Sequence, residues 1–521
     1  MAGSNAFDTH AVGGARNSTP AAASSRVGGA YTALTPTRLL DTRTSRHPIG
    51  PGGTAALTVT GGSVPSTAGA VVLNVTVTDT TTASYLTVFP TGETQPLVSN
   101  LNWARGETVA NLVIVPVGTG GSVTFFNDLG NTDLVVDLEG YFAPESGAST
   151  AGDYVPLTPA RIKDTRAGSP LGAGGLLALQ VTGEDGIPAG ATGAVLNVTA
   201  TDTTAASYLT VYPEGATRPF ASNLNWTAGA TVANRVLTAL SSSGQVSFFN
   251  DLGDTDLVVD VSGYFTSGTG TPPGNASLYY GTTPTRITDT RAGGSITANS
   301  TLAVQVTGEG GIPASATAAV LNVTATDTTA ASYLTVYPGG GCPLASDLNW
   351  GAGQTVPNLA VATLSGTGSI TAYNDAGSAD LVVDAFGYFG PALVTLLQNS
   401  ATSATVADGA GYSGQLSVSN GTGTVSYSET VSTDSLDVLV SGSGAITAAT
   451  TLSPGSYTVS GTDSDTPGDT GTWTFDLTVS PALVTLLQNS ATSATVADGA
   501  GYSGQLSVSN GTGTVSYSET V

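Results

Sequence analysis

Apolar and polar positions alternate with a period of two through much of the chain. In residues 194–213, Ala194, Leu196, Val198 and Ala200 alternate with Val195, Asn197, Thr199 and Thr201, and Leu209 and Val211 alternate with Tyr208, Thr210 and Tyr212. A two-residue period puts one set of side chains on a core face and the other toward solvent, so these segments are read as half-buried strands. The runs are short, rich in Val, Thr and Tyr, and separated by turn formers such as Asn250-Asp251-Leu252-Gly253. No segment sustains a 3.6-residue period. The predicted fold class is all-β: tandem antiparallel β-sandwich modules, jelly-roll or Ig-like, arranged as beads on a string.

The strand pattern recurs in a fixed order of landmarks. TPTRLLDTR (35–43), VVLNVTVTDTTTASYLTVFP (71–90), SNLNW (99–103), FFNDLG (125–130) and DLVVDLEGYF (133–142) return from 158 to 265 and again from 283 to 389. Equivalent Asp41, Asp164 and Asp289 are 123 and 125 residues apart, a domain length and far above a solenoid period. The predicted division is a disordered segment 1–30, sandwich repeats 31–143, 154–266 and 279–390, an Ig-like or cadherin-like repeat 391–480, and a partial copy of it, 481–521. Linkers 143–153 and 266–277, rich in Gly, Ser, Thr and Pro, are expected to be extended and solvated. Residues 391–431 recur letter for letter at 481–521, a 90-residue period. Having half of the unit, 481–521 is expected to be less stable than 391–480.

Charge narrows the range of functions. Thirteen Lys and Arg face 37 Asp and Glu, a formal net charge of −24, which argues against nucleic acid and anionic membrane as partners. No run of apolar residues approaches membrane-spanning length. The first thirty residues lack the charged and apolar regions of a secretory signal, so export information lies elsewhere or export takes another route. His10 and His47 have no nearby Cys or second His, and the single Cys342 has no counterpart in the other repeats. Neither a zinc site nor a His-based triad is expected, and a catalytic role is not.

Three groups of residues carry candidate chemistry. Arg38, Asp41 and Arg43, with Arg161, Asp164 and Arg166 and Arg286, Asp289 and Arg291, use six of the 13 basic residues, while Asp137, Asp260 and Asp384 sit in apolar DLVVD strands. Guanidinium groups suit an anionic ligand, but a carboxylate in a buried strand needs a cation, and a structural Arg–Asp network is the stronger reading. Trp103, Trp226 and Trp350, beside Asn100, Asn102, Asn223, Asn225 and Asn349, combine an aromatic face with amides, as a glycan site does. One Trp per 120-residue sandwich is more often a core plug, and that reading is favoured. Asp463, Asp465 and Asp469 offer oxygen ligands for calcium, against the reading of an ordinary acidic turn. Asn74, Asn197 and Asn322 form Asn-x-Thr sequences inside predicted strands and are better read as β residues than as glycosylation acceptors.

The RLLDTR opening, the VLNVTVTD…YLTVFP segment, the SNLNW loop and the DLVVDxxGYF ending resemble a β domain found in tandem in secreted and surface proteins of actinobacteria, sometimes joined to peptidoglycan- or protein-degrading enzymes. The resemblance spans about residues 31–389. SGTDSDTPGDTGTWTFDLTV (460–479) resembles bacterial Ig-like or cadherin-like repeats. These resemblances imply an extracellular or cell-surface, non-enzymatic, structural or adhesive protein making weak multivalent contacts through monomeric modules. Two alternatives remain: modules that bind cell-wall polysaccharide or surface glycans for a secreted hydrolase, and a fibre or appendage protein of a phage.

Overall fold

The computed structural model describes residues 28–144, 149–269, 271, 273–421, 423–432, 438–465, 468–482, 484–511 and 514–519. Most of the expected N-terminal segment, 1–27, lies outside the described residues. Each long repeat folds into eight strands. In repeat 1 these are β1 (Ala30–Asp41), β2 (Gly53–Thr58), β3 (Ala70–Thr78), β4 (Ser84–Pro90), β5 (Leu101–Trp103), β6 (Val109–Pro116), β7 (Ser122–Asn127) and β8 (Asp133–Ala143). They form two antiparallel four-stranded sheets in the orders β1-β8-β3-β6 and β2-β7-β4-β5, the connectivity of a jelly roll. A single-turn helix, α1 (Thr42–Ser45), follows β1, with Asp41 as its N-cap.

Repeat 2 has the same topology in β9 (Ala151–Asp164), β10 (Leu176–Gln180), β11 (Gly193–Thr201), β12 (Ser207–Pro213), β13 (Leu224–Trp226), β14 (Val232–Ala239), β15 (Gln245–Asn250) and β16 (Asp256–Ser267). Repeat 3 has it in β17 (Leu278–Asp289), β18 (Ser300–Gln305), β19 (Ala318–Thr326), β20 (Ser332–Tyr337), β21 (Leu348–Trp350), β22 (Val356–Thr363), β23 (Ser369–Asn374) and β24 (Asp380–Gly390).

The three sandwiches are not strung out as beads. All three belong to one compact unit that extends to Ala392, and edge strands β6, β14 and β22 each touch the other two. The physical reason lies in strands with two apolar faces. On β3, Val71, Leu73, Val75 and Val77 join the core of repeat 1, while Ala70 and Val72 enter a second core shared by all three repeats. β6 divides likewise, with Val113 and Val115 facing inward and Leu112 and Ile114 facing the neighbours. In β11 the expected solvent side, Val195, Asn197 and Thr199, is buried against neighbouring repeats. An unpaired edge exposes backbone donors and acceptors, and closing the three jelly rolls on one another covers it.

The linkers are tied down where they meet the sheets. Tyr154 and Ser277 exchange backbone hydrogen bonds of 2.9 Å, joining repeat 2 to the start of repeat 3, and Gly29 and Tyr279 do the same between repeats 1 and 3.

The second compact unit begins at Leu393. Its strands are β25 (Thr395–Gln398), β26 (Ser403–Ala407), β27 (Tyr412–Gln415), β28 (Val418–Ser419), β29 (Ser426–Ser432), β30 (Val438–Val440), β31 (Ala445–Ala448), β32 (Gly455–Ser464) and β33 (Thr470–Ser480). One sheet runs β28-β25-β33-β32-β29, with β26 also parallel to β33, and the other runs β27-β31-β30. Trp473, Phe475 and Leu477 fill the core between them, and the Trp473 indole N–H donates to Thr462 O at 3.1 Å. Among the described residues of 481–521, only β34 (Leu487–Gln488) and β35 (Val508–Ser509) pair. Leu396 and Leu416 are buried, whereas their identical counterparts Leu486 and Leu506 are exposed.

Candidate functional site: the joints between repeats

The GYF ending of each long repeat is built for the shared core. Each first strand contributes a tyrosine (Tyr31, Tyr154, Tyr279) and each last strand a phenylalanine (Phe142, Phe265, Phe389). Every tyrosine stacks closest on the phenylalanine of another repeat: Tyr31 on Phe265 at 4.4 Å, Tyr154 on Phe389 at 4.3 Å and Tyr279 on Phe142 at 4.6 Å between ring centroids. Repeats 1, 2 and 3 thus form a closed cycle. The glycine before each YF is required by close approach, since a Cβ on Gly140, Gly263 or Gly387 would stand within 3 Å of the tyrosine ring.

One residue before that glycine, each last strand carries a β-bulge, where pairing with β3, β11 or β19 skips Glu139, Ser262 or Phe386. A bulge re-aims a side chain. Its carbonyl takes the tyrosine hydroxyl of the same repeat, from Tyr31 at 3.3 Å, Tyr154 at 2.9 Å and Tyr279 at 3.2 Å.

Six buried asparagines close the same cycle. Asn234 Oδ1 accepts from Leu112 N, Asn358 Oδ1 from Arg235 N and Asn111 Oδ1 from Leu359 N, at 3.0–3.1 Å. Their amides donate at 2.9 Å to Asn74, Asn197 and Asn322 of a neighbouring repeat. Those three in turn donate to the carbonyls of Ser222, Ser346 and Ser99, the first residues of the SNLNW-type loops. The Asn-x-Thr asparagines are therefore joint residues, buried and closed to modification.

The Arg–Asp network lies at the same joints. Arg38, Arg161 and Arg286 bind Asp137, Asp260 and Asp384 through Nε at 2.6–2.8 Å, with a second bond from Nη2. Asp260 and Asp384 also accept the backbone N–H of Ser346 and Ser99 from the adjacent repeat. Arg43, Arg166 and Arg291 instead hold Asp41, Asp164 and Asp289 in half-exposed two-bond pairs. The guanidinium hydrogen bonds hold those three carboxyls below the usual carboxylate range. Burial pushes Asp384 up, against the pull of Arg286.

The cycle is symmetric in backbone and asymmetric in chemistry. Between repeats 2 and 3, Arg235 replaces the leucine of the other copies and Asp347 replaces the asparagine. The two form a buried ion pair, and Arg235 also donates to Ser262 Oγ at 3.2 Å and Leu359 O at 3.1 Å. Between repeats 1 and 2, Glu139 meets the Asn223 amide at 3.4 Å. Burial, and secondarily the Asp137 charge, pushes the Glu139 carboxyl well above its ordinary value. Between repeats 3 and 1 the bulge residue is Phe386, and the buried Asn100 Nδ2 has no hydrogen-bond partner among the described residues.

The glycan reading of the SNLNW loops is overturned. Trp103, Trp226 and Trp350 are 2–6% exposed, and the first two plug the cores of their own sandwiches. Asn100 and Asn223 are buried, with their side-chain oxygens on Val88 N and Val211 N. Asn102, Asn225 and Asn349 are half-buried and accept from Ser99, Ser222 and Ser346. No stacking face is left at these residues. Sequence reasoning missed Arg235, Asp347 and Glu139. The signal available was their departure from otherwise matching copies.

Asp463, Asp465 and Asp469 are buried but do not converge, and no group of three or more such ligands gathers among the described residues. Asp465 Oδ1 closes a turn onto Gly468 N and Asp469 N, and Asp469 accepts from Val394 N at 2.7 Å. Cys342 is exposed and free. No described helix is long and apolar enough to cross a membrane.

No family model and no curated protein matches this chain. A solved structure reported as "The Triple Jelly Roll Fold and Turret Assembly in an Archaeal Virus" is 9% identical, covering 71% of this chain and 92% of that chain with a TM-score of 0.14.

Proposed function

We propose that the chain is a non-catalytic structural and adhesive protein of a bacterial surface, presenting weak contacts from a ring of three fused jelly rolls and from Ig-like repeats. One observation carries this reading: the residues of the repeated motifs are spent on packing each sandwich and on joining it to its neighbours. The arginines bind strand aspartates, the SNLNW loops seat on the neighbouring sandwich, and the GYF aromatics fill the shared core. That leaves the outer loops for contacts too weak to matter singly, which multivalent display strengthens by effective concentration.

The test compares the free chain with the same chain coupled densely to beads, on isolated bacterial cell walls and on intact cells. Retention of beads with wash-off of the free chain is expected. A tight one-to-one complex of the free chain with a soluble oligosaccharide, or cleavage of it, would replace this reading with one of the accessory or enzymatic kind. The closed three-fold arrangement also favours a second reading, an appendage protein of a phage. Binding to whole host cells that is lost on wall fragments would support it.

A further inference from the structure

The three joints share one backbone plan, yet only the joint between repeats 1 and 2 places an acid at the bulge. Glu139 is 2% exposed, and no ion pair to it is found among the described residues. On its own strand stands Asp137, engaged by Arg38 of β1. β1 also brings Tyr31, whose hydroxyl reaches Glu139 O and Leu237 O. The loop before β13 brings Asn223, whose Nδ2 lies 3.4 Å from Glu139 Oε1. From β14 comes Arg235, committed to Asp347, Ser262 and Leu359.

We propose that Glu139 is a proton-controlled latch: as a neutral acid it lets the 222–226 loop seat on repeat 1, and as a carboxylate it loosens that joint alone. A bare carboxylate beside Asp137, with one long amide contact, requires hydration. Lifting the 222–226 loop, which seats Asn223 against the carboxyl, would admit that water. The equivalent Ser262 and Phe386 do not titrate, and the Arg235–Asp347 pair and the Phe386 side chain keep the other two joints shut.

The sign follows from linkage. The buried acid binds its proton more tightly in the closed joint than an exposed glutamate does at pH ~4.3. Its stabilising contribution is complete below that pH and is lost as pH rises through the closed-state titration, by up to about tenfold in the closing equilibrium per pH unit.

Hydrogen exchange on the full chain from pH 5 to 9, corrected for intrinsic rates, tests this. Amides of 222–226 should lose protection with rising pH relative to 99–103 and 346–350, and Glu139→Gln should abolish the difference. Glu139→Ser, which copies repeat 2, should do the same and serves if the first variant folds poorly. Equal loss at all three loops, no pH-dependent loss at 222–226, or an unchanged profile in either variant would overturn the latch.

Discussion

Removing Arg235 tests whether the ring is held by joints of different chemistry. Arg235→Leu installs the residue found in the other two repeats, but leaves Asp347, whose side chain is 6% exposed, with Val336 N as its remaining donor at 2.6 Å. Breaking a buried pair by removing one partner costs about 3–5 kcal/mol, because the surviving charge stays desolvated. At about 2.1 cal/mol/K of unfolding entropy per residue, over a unit that extends to Ala392, that is a fall of roughly 4–7 °C. Burial already raises the Asp347 carboxyl against the pull of Arg235, so losing the guanidinium raises it further, and the deficit should shrink as pH falls toward 4. Arg235→Leu with Asp347→Asn recreates the leucine and asparagine of the other joints and should recover wild-type stability to within about 1 kcal/mol, or exceed it. Scanning calorimetry of the full chain and its three variants closes the cycle, with an expected coupling of about 3 kcal/mol or more. A single variant that melts like wild type, or a double variant no more stable than the single, would refute this account.

Three other outcomes follow from the same geometry. Arg161→Ala should cost about 3 kcal/mol, since Asp260 is 3% exposed and anchors Ser346 of the next repeat, whereas Arg166→Ala, at a half-exposed pair, should cost under about 1 kcal/mol; denaturant titration compares the two. Asn234→Ala removes bonds to Leu112 N, Asn74 Oδ1 and Asn223 O and should destabilise the ring by about 2–4 kcal/mol, read by loss of amide protection at Leu112. Calcium and magnesium at matched ionic strength should raise the melting temperature of the second unit equally, because the three aspartates do not converge; a calcium-specific rise abolished by Asp465→Asn would contradict this.

The strands were legible because a period of two is a local property, and turn residues punctuate it. The DLVVD aspartates likewise announced a paired cation, because a carboxylate between valines has few other means of compensation. Ring closure was harder to read. Val195 and Asn197 look like the wet side of a strand when one module is considered alone, since nothing local says that another sandwich covers them. The available clue was apolarity on both faces, in AVVLNV and NLVIV, which a solvated sheet does not require. Burial in the second unit shows the same limit: Leu396 and Leu486 sit in identical sequence, and only the packing of 438–480 onto the first copy separates them.

A symmetric homotrimer is written once and read three times, so an arginine introduced at one subunit boundary appears at all three together with its unmatched charge. Fusing the three jelly rolls into one chain lifts that restriction. Arg235 and Asp347 could arise at a single boundary while Leu112 and Leu359 stayed apolar, and Glu139, Ser262 and Phe386 could occupy one geometric position with three chemistries. The fused ring also fixes stoichiometry and neighbour order in the gene itself, making closure an intramolecular step independent of protein concentration. Each boundary is then free to acquire its own mutations without being copied into the other two.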